Sequence, residues 1–140
     1  MRALTVLALG AVASWLVSGV FQVAFGLAVD AREEMVFALV VEVPIAVAVA
    51  VVFGIVLAAG GGRRGLAFTA IALVVGGGAL LAGIEAFALA DEAAMIDPSD
   101  FPLMLELGIP GVLTVLVQWW LVRRHWAQGA ARTTGAVTTG

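Results

Sequence analysis

Apolar residues fill four stretches of this chain without alternation, at 3–29, 35–59, 66–90 and 102–122. Each is about as long as the roughly 20 residues a helix needs to cross a bilayer. Ala, Val, Leu and Ile fall on every side of these stretches, the pattern of helices with no water-facing flank. Polar punctuation separates them. Asp30-Ala31-Arg32-Glu33-Glu34 is a charged turn, Gly60-Gly61-Gly62-Arg63-Arg64-Gly65 a glycine-rich basic turn, and 91–101 a longer acidic loop. Short connections favour antiparallel neighbours. The pattern therefore predicts an all-α integral membrane protein, a four-helix antiparallel bundle in one domain over 1–126. The segment 127–140, rich in small and polar residues, is expected to be a flexible cytoplasmic tail. Arg2 before an apolar run resembles a signal peptide, but the run continues well past Ala13, so a retained helix is expected.

Within the spans, small residues recur every four positions. Gly10, Ser14, Ser18, Gln22 and Gly26 form one such stripe, and Ala38, Glu42, Ala46, Ala50 and Gly54 another. Residues four apart share a helix face, and small side chains let membrane helices approach closely. Gly10, Ser14, Ser18, Ala46, Ala50 and Gly54 are thus expected to form packing seams. The third span offers Gly78, Ala82 and Glu85, with Gly76 and Gly77 beside them. The face of the fourth that carries Glu106 also carries Pro110, Leu113 and Val117, which are not small.

Composition sharpens the class. Of 140 residues 63% are hydrophobic and 12% charged, with a mean hydropathy of +1.14; a soluble domain carries about 25% charged residues. The absence of cysteine removes disulfides, thiolate metal sites and thiol catalysis together. One histidine and no tyrosine leave no multi-histidine metal or haem site, so no metal or other cofactor is expected.

Arg2, Arg63, Arg64, Arg123, Arg124 and Arg132 fall on one side of the predicted membrane and Arg32 alone on the other. The positive-inside rule places both termini in the cytoplasm, in a multi-pass protein of the cell (cytoplasmic) membrane. Asp30, Glu33, Glu34, Asp91, Glu92, Asp97 and Asp100 all lie outside. Trp119, Trp120, Arg123, Arg124 and Trp126 read as an anchor at the inner leaflet, where tryptophan sits at headgroup level and arginine meets anionic lipid. The Gly60–Gly65 turn lacks the lysine of a phosphate loop, and the acidic loop lacks calcium-loop spacing.

Candidate chemistry rests on acids inside the spans. Glu42, Glu85 and Glu106 each lie a few residues inside the outer end of a span, and no Lys, Arg or His shares the apolar stretches. At a rise of about 1.5 Å per residue, Glu42 and Gln22 lie roughly 10 Å deep and the other two roughly 6–8 Å. Pro44 and Pro110 deprive the carbonyls of Val40 and Glu106 of their helical donors in the same layer. Carboxylates, an amide and free carbonyls are hard oxygen ligands, suited to protons, Na⁺ or Ca²⁺. Any one of these acids could equally snorkel to the interface or bond a neighbouring helix.

An intramembrane acid marks a site by default. The expectation is a small proton- or cation-coupled transporter or channel-like protein, with Glu42, Glu85, Glu106 and Gln22 as its ion- or proton-responsive groups. The alternative is an accessory or assembly subunit of a larger membrane complex. A lipid-modifying enzyme comes third, because no nucleophile, metal set or second catalytic residue type accompanies the acids. Partners are expected to be the lipid bilayer and further copies or other subunits, with no nucleic acid. Four-helix multidrug exporters of similar size also use an intramembrane glutamate, but in their first helix; here that helix carries Gln22 instead, and the resemblance is not drawn.

Overall fold

Runs of Ala, Leu, Val and Phe free of proline build the first helix, α1 (Arg2–Ala28). Beyond it Asp30 lies in a turn, its φ of 56° in the left-handed region that a short polar side chain tolerates. Helix α2 (Arg32–Ala58) contains Pro44, α3 spans Arg63–Ala90, and α4 spans Gly108–Thr138. The structure, a computed structural model, describes residues 2–28, 30, 32–90 and 107–138. Among these residues the chain is an all-α bundle of four helices with no strand.

The turn between α2 and α3 is set by glycine chemistry. Gly60 adopts φ 76°, its N–H donates to the Leu57 carbonyl (3.1 Å), and the Gly61 N–H donates to that of Val56 (2.9 Å). This pair of bonds is the Schellman closure, which satisfies carbonyls a helix end would otherwise leave open. A Cβ on Gly61 would sit 2.7 Å from the Val56 carbonyl oxygen.

One end of the predicted fourth span falls on residues that are not described, and the other lies within a longer helix. Of the predicted fourth span, residues 102–106 lie outside the described residues; α4 is described from Gly108, with Pro110 in its first turn, where a missing N–H costs nothing. At the other end, the backbone of the expected flexible tail is helical as far as Thr138. Ala127, Gln128, Ala130, Ala131 and Arg132 are strong helix formers and no proline interrupts them.

Helix α1, residues 36–58 of α2 and residues 63–87 of α3 are each long and apolar enough to cross a membrane. The described part of α4 reaches Arg123 and Arg124 too soon to qualify by itself. Helices α1, α2 and α4 pack together as a three-helix core, and α3 lies mainly against α4, with a smaller contact to α2. Ala3 and Leu4 of α1, Leu57 and Ala58 of α2, and His125 and Trp126 of α4 line one groove, so these helix ends share one end of the bundle. Near that end Val49, Phe53, Leu66, Ala70, Val115 and Val122 form the apolar core.

Close approach comes from glycine. A Cβ at Gly54 would meet Leu7 at 3.1 Å, and one at Gly19 would meet Leu39 at 3.2 Å, so α1 and α2 cross with little room to spare. Between apolar helices dispersion replaces the hydrophobic effect as the packing force, which makes such spacing decisive. Helix α3 is different. Phe68, Ile71, Val75, Leu80, Ile84 and Phe87 are exposed along it, and nothing stands within 4 Å of where a Cβ would lie on Gly76, Gly77, Gly78 or Gly83.

Candidate functional site

The interior of the three-helix core is polar along part of its length. On α1 the buried residues are Gly10, Ser14, Ser18, Gln22 and Gly26, one face repeated every four positions. Opposite them α2 contributes Glu42, flanked by buried Ala38 and Ala46, and α4 contributes Thr114 and Gln118. Glu42, Ser14, Ser18 and Thr114 have no exposed surface at all.

These side chains form two layers about one helical turn apart. In the first, Thr114 Oγ1 stands 2.6 Å from Glu42 Oε1, a bond that Thr114 donates when Glu42 is ionised. Thr114 Oγ1 is also 2.9 Å from Ser18 Oγ, and Ser18 donates to the Pro110 carbonyl at 3.1 Å. In the second layer Gln118 Nε2 donates to Ser14 Oγ (3.0 Å) and to the Ala46 carbonyl (2.9 Å). Ser14 spends its single hydrogen on the Ala11 carbonyl at 2.9 Å, so it accepts from Gln118, which fixes the orientation of the amide. Pro44 leaves the Val40 carbonyl without its helical donor. At the neighbouring carbonyl, that of Leu39, the Trp15 indole donates at 3.0 Å and ties α1 to this part of α2.

Among the described residues three buried side-chain atoms lack a hydrogen-bond partner: Glu42 Oε2, Gln118 Oε1 and Trp119 Nε1. Most buried polar atoms find one, so orphans of this kind call for an explanation. No basic residue occupies the apolar part of any of the helices, so Glu42 sits among hydroxyls, an amide and backbone carbonyls.

The four residues of the expected acidic layer divide. Glu42 and Gln22 are buried in the three-helix core. Glu85 is half-buried near the end of α3, the helix that packs mainly on α4. Glu106 lies outside the described residues. Among the described residues no three His, Asp or Glu side chains come together; the hydroxyl bonded to Glu42 is that of Thr114, with Ser18 next in the row. Of the expected packing residues, Gly10 faces Gln118 and Leu121 of α4, Gly54 faces Leu7 of α1, and Ala46 is buried with Ala50 half-buried beside it.

Sequence reasoning missed Thr114, Trp15 and Gln118 as parts of this site. The signal was present, since Pro110, Thr114, Gln118 and Val122 repeat every four residues and all are buried. In the expected anchor, the Arg123 guanidinium lies 5.2 Å above the Trp119 ring and that of Arg124 5.2 Å above Trp120. Trp120 and Trp126 are exposed, whereas Trp119 packs against the apolar core.

Among the described residues two apolar grooves flank the core. One of about 780 Å³ runs between α1 and α2 and ends at His125 and Trp126. The other, about 630 Å³, lies among α2, α3 and α4 and is lined by Val49, Leu73, Gly77, Gly78 and Leu113 among others. The chain matches no protein-family model, no curated protein and no solved structure.

Proposed function

We propose that this chain is a multi-pass protein of the cytoplasmic membrane, with both termini inside, that works as a small transporter or channel-like unit. Glu42 is its proton- or cation-responsive group. The observation that carries this reading is a fully buried carboxyl with one oxygen unpartnered, enclosed by three helices without a basic side chain. Such a group is expensive in an apolar interior and is retained where it does work. The surrounding hydroxyls and carbonyls supply oxygen contacts that can be exchanged for a proton or a small cation. Gln22 and Glu85 are auxiliary in this scheme.

Reconstituted vesicles provide the test. Wild-type protein is expected to dissipate an imposed proton or Na⁺ gradient, and Glu42→Gln to lose that flux while still inserting and assembling. Flux at the wild-type rate in a correctly inserted Glu42→Gln protein removes the assignment.

A second reading, an accessory subunit of a larger complex, draws on α3. Its exposed large side chains and uncovered glycines resemble a helix that packs against something else. Either further copies of this chain or unlike subunits would fill that role. Stability of the extracted chain only in company with an unlike subunit supports this second reading over the first.

A further inference from the structure

From a count of hydrogens we infer that the species held at this site is a proton, carried on Glu42 Oε1 and donated to Thr114. Three oxygen–oxygen contacts link four groups in a row: Glu42 to Thr114 at 2.6 Å, Thr114 to Ser18 at 2.9 Å, and Ser18 to the Pro110 carbonyl at 3.1 Å. Every such contact needs one hydrogen between its two oxygens. The row ends on a carbonyl, which has none to give, and the two hydroxyls supply one each. Two hydrogens cannot fill three contacts. A protonated Glu42 supplies the third.

With that proton in place each bond has one direction. Glu42 donates to Thr114, Thr114 to Ser18, and Ser18 to Pro110. Each hydroxyl then donates once and accepts once, and only the carbonyl oxygen of the acid, Oε2, is left without a partner. An ionised Glu42 reverses the first bond, since Thr114 must then donate to it. Ser18 is left to choose between Thr114 and Pro110, and one contact is a pair of oxygens with nothing between them. A buried carboxylate would also face the apolar interior with a single firm hydrogen bond, a costly arrangement.

Among the described residues no other titratable side chain stands in for this proton. Helix α1 has only Arg2, at its start. On α4 the first titratable residue is Arg123, more than two turns beyond Thr114. Helix α2 has only Arg32, Glu33 and Glu34, all in its first turn, and α3 has Arg63 and Arg64 at its start and Glu85 near its end. The inference shares its site with the transport reading and rests on it for functional meaning, and it narrows the responsive species from proton or cation to proton.

Infrared spectroscopy of the purified protein in lipid nanodiscs at neutral pH tests it without any flux. A neutral carboxylic acid has its own carbonyl band, separate from those of carboxylates and amides. The wild type is expected to show this band, Glu42→Gln to lose it, and Glu85→Gln to retain it. Thr114→Val keeps the size of the side chain but removes the acceptor, so the band is expected to move to higher frequency. Absence of the band in the wild type overturns the inference, as does its survival in Glu42→Gln or a band unmoved by Thr114→Val. The band with no flux in vesicles would refute transport and leave the protonated acid standing; flux without the band would do the reverse.

Discussion

Gln118 shows how much one side chain can hold and how little it need contribute to stability. Its amide joins all three core helices, since it sits on α4 and donates to Ser14 on α1 and to the Ala46 carbonyl on α2. Hydrogen bonds between membrane helices nevertheless average only about 0.6 kcal/mol and seldom exceed about 1.7 kcal/mol. Gln118→Leu is therefore expected to cost on the order of 1 kcal/mol, because Ser14 keeps its bond to Ala11 and Ala46 remains within a helix. Denaturant titration in mixed micelles measures this; a loss several times larger would mean that Gln118 positions the helices rather than merely linking them. The sequence makes part of this site legible. Glu42 is conspicuous in an apolar stretch, and the four-residue repeat of Gly and Ser on α1 points to the face it buries. Thr114 and Gln118 are not conspicuous. Threonine in an apolar helix usually bonds its own backbone, and a glutamine beside two tryptophans resembles an interfacial residue. Only the partner helices reveal that these two complete the site.

At the scale of elements, glycine at the α2–α3 turn acts in three different ways at adjacent positions. Gly60 holds a positive φ, and an alanine there is expected to destabilise by about 1–2 kcal/mol, the cost of the left-handed region. Gly61→Ala is expected to cost more, because its Cβ would be forced against the Val56 carbonyl, which is backbone and cannot move aside. Gly62→Ala should be tolerated, since nothing lies within 4 Å of the new methyl. Thermal unfolding in detergent ranks the three; equal values would refute the turn described here. The sequence marks this turn plainly through three successive glycines before two arginines. It does not mark where α4 ends. Tryptophan and arginine signal the edge of a membrane, but a helix continues for as long as its residues favour it.

For the whole molecule, orientation is the property most open to a direct test. The chain contains no cysteine, so a single introduced thiol reports its own position without background. In intact cells, a membrane-impermeant maleimide is expected to label Asp30→Cys, between α1 and α2, and to label Gly62→Cys only after the cells are opened. The opposite pattern would invert the proposed topology, in which the arginines face inward. The arrangement of helices also bears on how the molecule is made. Glu42 meets its partner 72 residues later in the chain, and the closing bonds from Ser14 and Ser18 span 104 and 96 residues. Synthesis runs from the N-terminus, so α1, α2 and α3 emerge before α4 exists. Until that last helix arrives, the newborn protein must shelter an acid and the Ser18 hydroxyl without the partners they have in the finished bundle, and its final act of assembly is to close its own interior.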